Sequence, residues 1–185
     1  MKHIEKFRAI CHTKNIKLIE EFISQNKISN TCFSEGLSVA AMCGYTDVLK
    51  VLLTYKEARE ELNNILWLCI EFAAMEDYIE IVEELLKYKE IPWNSKYIWE
   101  EIALTTALKK KHYKIVELLL DDGRVDPSYD NNIALILASD YGKTEIVEKI
   151  LQDKRVNSTI DKNFALTLAK DYGHQEIADL LVESL

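Results

Sequence analysis

Residues 132–154, NIALILASDYGKTEIVEKILQDK, recur 31 positions later as residues 163–183, NFALTLAKDYGHQEIADLLVE. Gly142 and Gly173 are 31 apart, and so are Ile146 and Ile177. The segments that lead into the two copies also correspond, Val125-Asp126-Pro127-Ser128 against Val156-Asn157-Ser158-Thr159. Moving outward, the slot of Ile146 is filled by Ile115 in KIVELLL, Ile81 in EIVEELL, Val48 in DVLKVLL and Leu18 in KLIEEFI. Successive spacings from Leu18 to Ile177 are 30, 33, 34, 31 and 31 residues. Six units in register mark a repeat protein.

Each unit repeats one internal order. A short first helix carries small residues near its end, Ala40-Ala41, Ala73-Ala74, Ala107, Ala138 and Ala169, which let neighbouring helices approach closely. Gly44, Gly142 and Gly173 then stand where a helix ends in a left-handed residue. A second helix follows with apolar pairs one turn apart, such as Ile146-Val147 and Ile150-Leu151, the stripe of a helix buried along one face.

Composition agrees. The 185 residues contain only 5 Gly and 2 Pro, where ordinary usage gives roughly 13 and 9. Few breakers argue against a many-stranded sandwich or barrel. With 23 Lys+Arg against 31 Asp+Glu, the net charge of −8 repels phosphate, so nucleic acid is not the expected partner. No apolar run reaches the ~18–20 residues of a membrane span, and MKHIEKFRAICHTKN lacks the apolar core of a signal peptide. Cys11, Cys32, Cys43 and Cys69 show no metal spacing and read as reduced thiols, which points to a cytoplasmic or nuclear protein.

The stretches GLSVAAMCGYTDVLKVLL, IALILASDYGKTEIVEKIL and FALTLAKDYGHQEIADLL resemble the ankyrin repeat, whose unit reads roughly TPLHLAAxxGHxEIVxLLL. The resemblance covers the chain. It implies an all-α ankyrin-repeat solenoid of about six stacked helix-turn-helix units with short hairpin or loop links, one domain over 1–185. The units fall at about 1–26, 27–58, 59–90, 91–123, 124–154 and 155–185. No unit keeps the helix-start Pro, and Lys14, Asp77 and Lys111 replace the turn Gly in units one, three and four. Irregular turns are expected there. Degenerate arrays of this style resemble those of giant viruses, poxviruses, protists and intracellular bacteria. Polar end faces are expected, with Lys170, Asp171, Gln175, Glu176 and Asp179 outside on the last unit.

Catalytic motifs are missing: there is no GxSxG, HExxH, P-loop or dinucleotide fingerprint. His112 and His174 read as turn residues, and neither a cofactor nor a metal is expected. The expected function is therefore a non-catalytic, monomeric module that binds a protein partner as adaptor or competitive inhibitor. Localisation follows as cytoplasmic, meaning host cytoplasm or nucleus for a viral or effector protein.

The resemblance places the partner on first helices and hairpin tips. Two groups of positions follow from it. One is the pair before each turn: Met42 and Cys43, Met75 and Glu76, Lys109 and Lys110, Asp140 and Tyr141, Asp171 and Tyr172. The other is the residue before each first helix: Trp67, Glu101 (with Trp99), Asn132 and Asn163. The expected contact residues are Met42, Trp67, Met75, Trp99, Lys109, Lys110, Tyr141 and Tyr172, since aromatic anchors dominate interfaces. The alternative is a small-ligand or oligonucleotide sensor around Lys109–Lys111 and Trp99.

Overall fold

The computed structural model describes residues 2–89 and 100–185. The described residues form twelve α-helices and no strand. The chain divides into two compact units, Met1–Glu100 and Glu101–Leu185.

The first unit contains α1 (Lys2–His12), α2 (Ile16–Gln25), α3 (Asn30–Cys43), α4 (Thr46–Leu52), α5 (Lys56–Met75) and α6 (Ile79–Leu86). Helix α3 packs against α1, α4 and α5, and Ala40, Ala41, Ala73 and Ala74 are all inaccessible to water. Gly36 permits a closer approach still. A Cβ there would stand 2.9 Å from Phe7 Cε1 and 3.0 Å from Leu52 Cδ1. Phe7 stacks on Phe22 at 5.6 Å and meets Phe33 edge-on at 6.4 Å, which closes the end of this core.

One link departs from the short-helix pattern. The stretch KEAREELNNIL, residues 56–66, is made largely of strong helix formers with no Gly or Pro, and Lys56 pairs with Glu60 one turn on. Helix α5 therefore runs for 20 residues. Arg59 Nη1 donates to the carbonyls of Leu53 and Thr54 at 2.7 and 2.8 Å, satisfying the end of α4 at the sharp corner.

The second unit contains α7 (Glu100–Lys110), α8 (Tyr113–Asp122), α9 (Tyr129–Asp140), α10 (Thr144–Leu151), α11 (Thr159–Asp171) and α12 (Gln175–Glu183). Asp130, Asn131 and Asn132 take left-handed φ values of 48°, 56° and 54° at the head of α9. Asp and Asn tolerate that region better than other residues with a Cβ. Asn132 is buried, and its Nδ2 donates to Asp161 Oδ2 at 2.8 Å, which sets the register of α11 on α9. Arg155 Nη2 donates to the Val125 carbonyl at 2.7 Å and to Asp153 at 2.6 Å, tying successive links together.

The turns expected to be irregular keep the common geometry. Lys14, Asp77 and Lys111 sit at φ 57°, 59° and 64°, beside Gly44, Gly142 and Gly173 at 68°, 67° and 76°. The reason is a shared hydrogen bond. The N–H of the residue after the left-handed one donates to the carbonyl five residues before it in Tyr45→Ala40, Tyr78→Ala73, His112→Ala107, Lys143→Ala138 and His174→Ala169, at 2.7–3.0 Å. This closure satisfies a helix-end carbonyl and holds a left-handed residue even where a Cβ makes it costly. Unit one differs, since Asn15 N–H donates to Thr13 Oγ1 at 3.2 Å.

Candidate functional site

In the second unit, α9 buries Ala134, Leu135 and Ala138, and α11 buries Ala165, Leu166 and Ala169. Opposite those faces the 3.6-residue period collects Ile133, Ile136 and Asp140 on α9 and Ile160, Phe164, Thr167 and Asp171 on α11. The α9 residues are half-buried. Those on α11 are open, with Ile160 82% and Phe164 54% exposed. The two helices pack together in the register set by Asn132 and Asp161, so the stripes lie side by side. Burying an aliphatic or aromatic side chain is worth about 1.5–3 kcal/mol. Ile160 leaves most of that unrealised, and Phe164 about half.

The turns of the same unit form a second feature. Lys111 Nζ lies 5.2 Å from the Tyr141 ring centre, and Lys143 Nζ lies 4.1 Å from that of Tyr113. The turn 111–113 and the turn 141–143 are thus cross-braced by two cation–aromatic contacts. Burial, then the neighbouring Tyr141, pushes the Tyr113 phenol upward, so it stays protonated at neutral pH. Lys109 and Lys110 are exposed in the last turn of α7, where the helix dipole favours positive charge. Beyond them His174 covers Gly142, and Tyr172 lies 6.4 Å from His174, 61% exposed.

In the first unit, Met42 and Met75 stand at corresponding positions of α3 and α5, 41% and 36% exposed. Lys14 Nζ sits 4.4 Å over the Tyr45 ring, and His12 meets that ring edge-on at 6.0 Å. Lys14, Gly44, Tyr45, Thr46, Asp47 and Val48 line an open groove of about 270 Å³.

Sequence reasoning misplaced several residues. Trp67 does not precede a first helix; it lies inside α5, half-buried, with Nε1 donating to the Asn64 carbonyl at 3.2 Å. The helix formers of residues 56–66 extend α5 past it. Asn163 lies inside α11 for a similar reason: Ser158 caps that helix by accepting from the Asp161 N–H. Asn132 is buried rather than presented. Trp99 lies outside the described residues, as does the Glu101 side chain. Ile160 and Phe164 were missed because an i, i+4 apolar pair has the same signature in a core. The last unit is also less polar outside than expected: Lys170, Asp171, Gln175, Glu176 and Asp179 are exposed, and so are Ile160, Phe164 and Val182.

Among the described residues no group of three or more His, Cys, Asp or Glu is placed to hold a metal ion, and no helix is long and apolar enough to cross a membrane. No cysteine is in a disulfide. Burial pushes the Cys11 and Cys69 thiols up to about 12, with Cys32 and Glu35 adding to the effect at Cys11.

A family model described as ankyrin repeats (3 copies) matches residues 70–160 and, again, residues 104–185. No curated protein matches the chain.

Proposed function

This chain belongs to the ankyrin-repeat family, and on that premise we propose that it is a non-catalytic module whose second unit grips a protein partner through the stripe of Ile133, Ile136, Ile160 and Phe164. Ankyrin repeats are in general protein–protein interaction modules. Fold alone does not fix function, so the reading rests on the site. Its main support is the exposure of Ile160 and Phe164 on a rigid helix, opposite a face that is already fully packed.

A preformed apolar surface on a packed helix loses little entropy on binding, and its anchors can be desolvated at once. Tyr141 and Tyr172 extend the same surface toward the turns, and Lys109 and Lys110 supply its charged rim. In the first unit, Met42 and Met75 are the corresponding exposed apolar residues. Competitive occupation of a partner's surface is the mode that such a module performs; adaptor and inhibitor are two uses of it.

The test is capture from cell lysate with wild type beside Ile160→Ser/Phe164→Ser. Both residues face solvent, so the fold should survive, as a matching thermal melt will confirm. Bands lost only with the variant support the reading. Identical bands overturn it.

A further inference from the structure

We propose that the lysine–tyrosine row of the second unit is a docking site for an acidic peptide segment, whose Asp and Glu carboxylates seat on Lys109, Lys110, Lys111 and Lys143 around Tyr113 and Tyr141. This rests on the protein-binding reading above and names the chemistry of the partner.

Within the second unit Arg124 pairs with Asp122, Lys149 with Asp121, Arg155 with Asp153 and Asp126, and Lys114 with Glu117. Among the described residues no ion pair engages Lys109, Lys110, Lys111 or Lys143. Lys154, Lys162 and Lys170 also make no ion pair there, but they stand apart in the sequence, whereas Lys109, Lys110 and Lys111 are consecutive and Lys111 and Lys143 brace the same two turns. In a protein of net charge −8, four neighbouring cations without carboxylates are a local reversal of sign.

Two of the four are also pinned. Lys111 and Lys143 rest on the Tyr141 and Tyr113 rings, and a ring face leaves the ammonium N–H groups on its far side free to donate. Binding normally has to freeze a lysine side chain at an entropic cost; here the ring contacts already hold Lys111 and Lys143 in place. The Tyr113 and Tyr141 hydroxyls add neutral donors beside the ammonium groups.

An acidic peptide fits better than a nucleic acid. Its carboxylates can be spaced to meet four lysines and then stop, whereas a phosphate chain continues at one charge per few ångströms. Continuing over the unit, it would meet the exposed carboxylates of Glu145, Asp171 and Glu176 on α10, α11 and α12.

The experiment is fluorescence anisotropy on the full chain with three labelled probes: an eight-residue polyglutamate, an eight-residue polyglutamine and an eight-nucleotide oligothymidylate. At low salt the polyglutamate should bind, and binding should fall about tenfold at 200 mM NaCl as screening sets in. Lys109→Gln/Lys110→Gln, which leaves the left-handed turn untouched, should weaken it by roughly fivefold or more, at about 0.5–1 kcal/mol per charge. Lys143→Gln should weaken it further, while Lys154→Gln/Lys170→Gln, outside the row, should leave it within about twofold. Polyglutamate binding no tighter than polyglutamine, or unchanged in the row variants, overturns the proposal. So does tighter binding of the oligothymidylate. If polyglutamate fails while lysate capture still depends on Ile160 and Phe164, the acidic-segment inference falls and the protein-binding reading stands.

Discussion

The His174 ring fills the space that a Cβ on Gly142 would need: its Cε1 lies 2.6 Å and its Nδ1 2.8 Å from that position. The same ring places Nε2 3.2 Å from the Asp140 carbonyl. One repeat therefore locks onto the left-handed turn of the one before it, and Tyr78 covers Gly44 in the same way, 2.8 Å from its would-be Cβ.

Gly142→Ala should combine two penalties, a left-handed φ of 67° and a clash with the His174 ring. Gly173→Ala carries only the first, since nothing lies within 4 Å of its would-be Cβ. Urea denaturation should show a loss of about 1–2 kcal/mol for Gly173→Ala and a further 1–3 kcal/mol for Gly142→Ala. Equal losses would mean that the ring does not lock the turn.

At Lys111 two effects oppose each other. The left-handed backbone costs a residue with a Cβ about 1 kcal/mol relative to Gly, while the contact with Tyr141 returns about 0.5–1 kcal/mol. Lys111→Gly should therefore be nearly neutral, and Lys111→Ala should lose about 0.5–1 kcal/mol by the same measurement. A Lys111→Ala protein more stable than Lys111→Gly would contradict this balance.

The Arg155 guanidinium, through its hydrogen bond and then its charge, holds the Asp153 carboxyl below its ordinary value of 3.8. A depressed acid stabilises the fold fully above the unfolded-state value and loses that contribution as pH falls through the lower folded-state value. Wild type should lose melting temperature between pH 5 and pH 2.5 by more than Asp153→Asn does. At pH 7, Arg155→Ala should cost about 1–2 kcal/mol, a figure reduced by the partial exposure of the pair. Parallel pH profiles for wild type and Asp153→Asn would remove the carboxyl from the account.

Cys11 and Cys69 shift in the opposite sense, from 9.0 up to about 12. Above pH 9 the unfolded thiol ionises while the folded one cannot, so stability should fall as pH rises from 9 toward 12. Cys69→Ala should flatten that fall. In the native protein at pH 8, the half-buried Cys43 should react with a thiol reagent well before Cys11 or Cys69. Uniform labelling of all the cysteines would show that the first core opens readily.

The repeat was legible because its carriers are local. Gly142 and Gly173, Ala138 and Ala169, Ile146 and Ile177 stand at fixed spacing, and each does the same work in its own unit. The turns at Lys14, Asp77 and Lys111 were read as irregular because the residue type argues for it. Their backbones are nonetheless left-handed, and at Asp77 and Lys111 the alanine carbonyl four residues earlier closes the turn as it does elsewhere. Trp67 was misplaced because the helix-forming run of residues 56–66 outweighs the register of the other units. Ile160 and Phe164 were illegible for a deeper reason. Periodicity says that a side chain shares a stripe, and only the packed neighbours decide whether that stripe is covered.

The protein-binding surface is tested most directly by measuring lysate capture and thermal melting on the same two samples, wild type and Ile160→Ser/Phe164→Ser. The account predicts melting temperatures that agree within a few degrees together with loss of the captured partner. Unchanged capture, or a melting temperature that collapses along with it, would contradict the account and return Ile160 and Phe164 to a structural role.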